Sequence, residues 1–225
     1  MFKPTDFFDL SQTGHAGVFA GVEFAWEALL KIKTCVEANV KPALLNKCEG
    51  DAFIGERVFI GDGTVVEDGA MIRGPAIIGR NCQIRHNAYI REHVIVGDNC
   101  IVGNSTELKN TLMLDGAAAP HYNYCGDSIL GNRTNLGAGT KLSNYKIAAD
   151  KTIRLRVGDQ VIDTGLEKFG AILGDNALTG CNSVLNPGTI LGKNVMVYAC
   201  AAVRGFIPHN TVVKLRQEFD YVPVK

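Results

Sequence analysis

An aliphatic residue recurs every six positions from residue 54 to residue 114: Ile54, Ile60, Val66, Ile72, Ile78, Ile84, Ile90, Val96, Val102, Leu108 and Leu114. A second position, four residues after each, is usually small or β-branched, as at Thr64, Ala70, Cys82 and Ala88. A period of six fits neither the 3.6 of a helix nor the alternation of a flat half-buried strand. It predicts a solenoid in which each hexad forms one short side of a triangular coil of about eighteen residues. The aliphatic residue then points into the prism and stacks on its equivalent one coil away, and glycines at 55, 61, 79, 97 and 103 serve the corners.

The register slips after Leu114, resumes at Leu130, Leu136 and Leu142, and resumes again at Leu173, Thr179, Leu185, Leu191, Val197 and Val203. We therefore expect about seven coils over residues 51–210, with loop excursions near 115–127 and 144–170. The second excursion contains a strand-turn-strand pattern: Thr152 to Val157, Gly158-Asp159, then Gln160 to Ile162. Residues 1–50 do not repeat. Val22, Ala25, Trp26, Leu29, Leu30 and Val36 predict an amphipathic helix over 21–38, read as a cap on the first coil, whose apolar end would otherwise meet water. Residues 211–225 read as a tail.

At 46% apolar and 20% charged residues, the 225-residue chain has the composition of a folded globular protein. Its 23 basic residues balance 23 acidic ones, which removes the electrostatic case for a nucleic-acid partner. The most apolar N-terminal stretch, 16–30, is broken by Glu23 and Glu27 and lacks a basic start, so neither a signal peptide nor a membrane span is expected. Seven cysteines without a C-x-x-C pair suit reduced thiols and a cytoplasmic location. Cys82 and Cys100 occupy the small repeat position and read as core fillers.

Three histidines, His86, His93 and His121, raise the question of zinc. Their gaps of seven and twenty-eight residues do not suit the three-histidine site known on this kind of coil, and no metal is expected. The polar residues between the hexads are more informative: Ala88-Tyr89-Ile90-Arg91, Glu107-Leu108-Lys109, His121-Tyr122-Asn123-Tyr124, Asn135-Leu136-Gly137-Ala138-Gly139-Thr140 and Ser143-Asn144-Tyr145. These strings closely resemble the acetyltransferase half of the bifunctional bacterial enzymes that make UDP-N-acetylglucosamine, and their archaeal sugar-nucleotidyltransferase relatives. The resemblance spans about residues 85–205. It implies an all-β fold, the left-handed parallel β-helix of hexapeptide-repeat acyltransferases, and an acetyl-CoA-dependent N-acetyltransferase acting on an amino sugar phosphate, above all glucosamine 1-phosphate. It also implies a homotrimer with active sites shared between chains.

The resemblance places the general base at His121, and an imidazole suits removal of a proton from a sugar ammonium. Arg91 and Lys109 lie one coil apart and should stack as a fork and a point charge for one phosphate. Glu107 is expected to orient Lys109 or meet the amine. Tyr124, Asn135 and Asn144 match the family's sugar-contacting residues. The cofactor is implied near Ala138, whose main chain contacts it in the family, near Cys181, which stands where the bacterial family has serine, and near Ala199. Lys168, Lys193 and Arg204 are candidates for its phosphates, with Arg204 the expected cofactor-binding cation. Two departures matter. No nucleotidyltransferase domain precedes the hexads, so the chain is not expected to make a nucleotide sugar alone. The loop after Asn144 is long, and Lys146 or Lys151 would replace the family's lysine there. The alternative reading is a non-catalytic scaffold that keeps a sugar-phosphate pocket; retention of His121 favours the enzyme.

Overall fold

The computed structural model describes residues 1–45 and 47–224. The chain forms the expected left-handed parallel β-helix. A nine-stranded parallel sheet makes one face of the prism, and a fifteen-stranded sheet bends around a corner to make the other two. We call the faces first, second and third in the order the chain meets them. Val58–Ile60, Val65–Val66 and Met71–Ile72 are one strand from each. The core inside the prism is the predicted inward ladder, with Ile60, Val66, Ile72, Ile78, Ile84 and Ile90 at 0% exposure.

The solenoid is longer than the expected coil count. Ala43–Leu44 and Lys47–Cys48 already pair with the next coil, and Val212–Val213 still pairs with Met196–Val197. The strand pattern thus begins inside the presumed cap and ends just inside the presumed tail.

The excursion near 115–127 is absent; Ala118–His121 and Tyr124–Leu130 are strands. Two coils are simply one residue short, as the pairings Glu107 to Tyr124 and Tyr124 to Lys141 show. The inward residue after Leu108 is Met113, and its neighbour Leu114 is buried outside the prism instead. The second excursion is real: Ile129 pairs with Ile172, and the intervening residues include the predicted antiparallel hairpin, Arg154–Val157 with Gln160–Asp163.

The N-terminal segment is not an end cap. A short helix α1 (Pro4–Phe7), three 3-10 turns and α2 (Ala28–Asn39) lie along the first face. The predicted helix start at residue 21 is replaced by a bend and a 3-10 turn, Ala25–Glu27. The cause is an outward apolar row on the first face alone. Ile95, Leu112, Ile129, Ile172 and Ile190 are buried there with Trp26, Leu29, Ile32 and Val36 in a second core. At about 25 cal/mol per Å² of apolar surface, covering such a row is a large term. The end of the segment is pinned as well: Phe2 meets Phe206 edge-on at 5.1 Å, and the Asp9 N–H donates to Asp175 Oδ2 at 2.7 Å. Among the described residues, no helix is long and apolar enough to cross a membrane.

Candidate active site

The corner between the second and third faces turns on one left-handed residue per coil, including Ser105, Tyr122, Gly139, Asn182 and Cys200, with φ from 50° to 72°. The N–H of each donates to a carbonyl one coil below. Tyr122 binds Asn104 (2.9 Å), Gly139 binds His121 (2.9 Å), Asn182 binds Ala138 (2.7 Å) and Cys200 binds Cys181 (2.8 Å). This ladder stacks the preceding residues in one column: His86, Asn104, His121, Ala138, Cys181 and Ala199. One general base and three cofactor positions expected from sequence are therefore brought together at a single corner.

Gly103 is what lets the shortened coil close here, since a Cβ on it would lie 1.6 Å from the Pro120 carbonyl oxygen. Asn123, which the sequence reading passed over, fixes the turn. Buried at 2% exposure, it accepts from the His121 N–H at 3.1 Å and donates to the Gly137 carbonyl at 2.8 Å. His121, Tyr122, Cys181 and Ala199 themselves are exposed, so one chain does not enclose the column.

Of the three N–H groups of Gly137-Ala138-Gly139, which run past this corner, two are consumed. Gly137 donates to the Thr179 carbonyl and Gly139 to that of His121. The Ala138 N–H has no acceptor among the described residues, and it sits between His121 and Cys181. A free donor beside small side chains fits an acyl thioester lying along this corner.

The opposite edge of the third face holds the expected phosphate pair. Arg91 stacks over Lys109, since Ile90 pairs with Leu108 and the Arg91 N–H donates to the Leu108 carbonyl at 2.9 Å. Glu107 holds Arg91 rather than Lys109: Nη1 donates to Oε1 at 2.9 Å, and this bond is the main cause raising the Arg91 pKa. Among the described residues the buried Arg91 Nε has no partner, a donor left for a ligand oxygen. Lys109 is held by Asp127 at 3.5 Å. Asp127 also accepts from Asn110 (2.9 Å) and from Asn144, whose Oδ1 accepts the Tyr124 hydroxyl at 3.4 Å. Burial first, then Glu107 and Asp127, push the Tyr124 phenol upward, so it stays a neutral donor.

Glu107 and Tyr124 occupy the outward row of the third face, between the two corners. Thus Arg91, Glu107, Lys109, Tyr124 and Asn144 form one group. Asn135 does not join it, being exposed on the second face where it pairs with Ala118 and Leu178. Arg204 is likewise apart from the other cofactor positions: it follows Val203, in the corner that holds Arg91 and Lys109. Both displacements have one reason, since spacing in the chain does not reveal which of three corners a residue turns on. His86 and His93 are corner residues rather than strand residues. His86 Nδ1 lies 2.6 Å from the Asp68 carbonyl oxygen, and His93 faces Glu37 of α2 at 3.5 Å.

Among curated proteins the chain is similar to a bifunctional sugar-1-phosphate nucleotidylyltransferase/acetyltransferase from Sulfurisphaera tokodaii, 31% identical over 111 residues, covering 49% of this chain and 27% of that protein. It is also similar to the bifunctional protein GlmU of Methanocaldococcus jannaschii, 31% identical over 121 residues, covering 54% and 29%. The match spans less than a third of either relative's length. Among solved structures, an Arabidopsis UDP-N-acetylglucosamine acyltransferase superposes with a TM-score of 0.47 at 12% identity, over 76% of this chain and 67% of that one. PerB from Caulobacter crescentus, in complex with CoA and GDP-perosamine, superposes at 0.23 with 18% identity, over 81% and 60%. The profile of the family described as the GMPPB C-terminal domain matches residues 72–218. That match takes in both corners just described and well over half of the sequence: the chain belongs to the GMPPB C-terminal domain family.

Proposed function

We propose that this protein is an acetyl-CoA-dependent N-acetyltransferase acting on an amino sugar phosphate, with glucosamine 1-phosphate as the leading acceptor. The observation that supports it best is the pairing of the two corners. His121 stands in one column with Ala138, Cys181 and Ala199, while Arg91 stacks on Lys109 across the third face, with Glu107 and Tyr124 between.

In this reading Arg91 and Lys109 take the phosphate, and Tyr124 and Asn144 offer a hydroxyl and an amide to the sugar. His121 accepts the proton that the sugar ammonium must lose before its nitrogen can attack. Acetyl-CoA, when bound, supplies the thioester whose C–S bond breaks as the C–N bond forms. His121 returns its proton to the departing sulfur, so the products are the acetamide and the free thiol. The Ala138 N–H faces the carbonyl oxygen as negative charge develops on it.

We further propose a homotrimer. The first face is already covered by the N-terminal segment, whereas Leu178, Met196, Tyr198 and Val212 on and beside the second face are exposed at 39–48%. A neighbouring chain packed there would enclose the open His121 column and cover this apolar strip.

The deciding experiment is thiol release from acetyl-CoA with a panel of amino sugars and their phosphates. Release with an amino sugar phosphate, and none with the unphosphorylated sugar, is expected. Silence across the panel, with sugar phosphate still bound, would replace this reading by that of a binding scaffold.

A further inference from the structure

A cavity of about 800 Å³ lies outside the acetyl-transfer corner, where the second excursion folds back over the coils. Its roof is the strand Arg154–Val157 with the chain leading into it, and its base is the corner at Pro187, Gly188 and Gly205. Ile153 and Leu155, 1% and 2% exposed, pack as an apolar wall beneath the strand, while Tyr145, Ile147 and Pro187 give the cavity its accessible apolar surface. Gly188, at φ 78°, lets that wall approach, since a Cβ on it would meet Ile153 Cγ2 at 2.5 Å; in front of Gly205 nothing lies within 4 Å. One corner without side chains thus seats the excursion and leaves the space beneath it.

The charge of this cavity is one-sided. Lys146, Arg154, Arg156 and Arg204 line it and, among the described residues, no carboxylate does, in a chain whose 23 cations and 23 anions balance. Arg154 is committed to Asp150 and Asp163, and Lys146 donates to the Thr152 carbonyl at 2.7 Å. Arg156 and Arg204 have no carboxylate partner among the described residues. Cations held around one concavity repel one another, and an anion with several charged oxygens relieves that cost. The volume is that of a small-molecule site and far exceeds one phosphate.

We propose that this cavity binds a phosphorylated nucleoside, with the base against Tyr145, Ile147 and Pro187 and the phosphates on the guanidinium forks of Arg156 and Arg204. Two sources share that chemistry. Ser143 and Tyr145 line the cavity and flank Asn144, so a nucleoside diphosphate carried by the amino sugar could run from the Arg91–Lys109 corner into it. The nucleotide end of the acyl donor is the other source. The choice of ligand class rests on the acetyl-transfer reading, which supplies both sources, whereas the cavity and its cations do not depend on it.

Isothermal titration of the full-length protein tests it, with uridine 5′-diphosphate, guanosine 5′-diphosphate, 3′-phosphoadenosine 5′-diphosphate and inorganic pyrophosphate as probes. At least one nucleotide is expected to bind, one per chain and more tightly than pyrophosphate. Arg156→Ala and Arg204→Ala should each weaken it about ten- to a hundredfold, the size of a charge-assisted hydrogen bond. Preference for a 5′-diphosphate assigns the nucleotide-sugar source, and preference for the 3′-phosphorylated probe the acyl donor. The proposal is overturned if no nucleotide outbinds pyrophosphate, or if binding is indifferent to both substitutions in variants with unchanged melting temperature. Since no acetyl group is transferred in this titration, such a failure leaves the thiol-release result standing.

Discussion

Lys109 Nζ lies 3.5 Å from Oδ2 of Asp127, a carboxylate with only 7% of its side chain exposed, and the same carboxylate accepts from Asn110 and Asn144. Asp127 therefore sets the direction of two residues proposed to bind the sugar phosphate. Replacing it with alanine leaves a half-buried ammonium without a counter-charge and frees two amides, a loss of about 2–4 kcal/mol. Urea unfolding of Asp127→Ala should show this, and the KM for sugar phosphate should rise more than kcat falls. Asp127→Asn, which tolerates the left-handed φ of 46°, should recover part of the stability but not the KM. An alanine variant as stable as wild type would mean that the network does not support the corner.

His121→Ala removes an imidazole that is exposed in one chain. Melting temperature and sugar-phosphate affinity should stay near native while turnover drops roughly 10²- to 10⁴-fold, the usual contribution of a positioned base. Near-native turnover would remove His121 from the chemistry.

Trp26 is 2% exposed and stacks on Phe24 at 4.6 Å between the N-terminal segment and the first face. Trp26→Ala should cost about 3–5 kcal/mol by the measure of large buried aromatics. Removing residues 1–39 should uncover the outward row from Ile95 to Ile190 and send the protein into the insoluble fraction. A soluble, cooperatively melting truncation would show that the segment is dispensable.

His15 lies half-buried near the Asp98 and Asp115 corner. Burial lowers its pKa below the ordinary value of 6.5, while the two carboxylates oppose this. A depressed histidine favours the neutral form in the native state, so its protonation favours unfolding. Its contribution is fully present above about pH 6.5 and is lost as the pH falls through that value toward the lower native pKa. The melting temperature of wild type should therefore drop more between pH 7.5 and 5 than that of His15→Asn; parallel curves would assign the acid sensitivity elsewhere.

If active sites are shared, an inactive His121→Ala chain and a second chain blocked by Ala199→Trp should regain activity when co-assembled. Sedimentation must first show the mixed trimer. A monomer, or a mixed trimer that remains silent, would sink the shared-site arrangement.

The inward ladder was legible because it repeats in the chain, and so was the hairpin around Gly158-Asp159. The outward row was equally present in the letters. Ile77, Ile95, Ile172 and Ile190 each precede an inward residue at one position in three, and those apolar triplets mark the first face as doubly buried. The one-residue slip was hidden because Met113 and Leu114 are both apolar, so either could continue the hexads. The Asp127 and Asn123 networks join residues on successive coils, and their partners are defined only once the length of each coil is known. The same is true of the separation of Asn135 and Arg204 from their expected companions.

The clamp on the first face also sets an order of events. Each coil needs only its predecessor to pair with, so coils can form one after another as the chain emerges from synthesis. The N-terminal residues cannot follow that order, because Phe2 and Phe7 seat against Phe206, and the Asp9 backbone against Asp175. These residues, made before the coils they clamp, are thus among the last to find their place. Until residue 206 exists, a nascent chain displays the open end of its apolar row beside unanchored aromatics, which is the interval when it most needs protection from its neighbours.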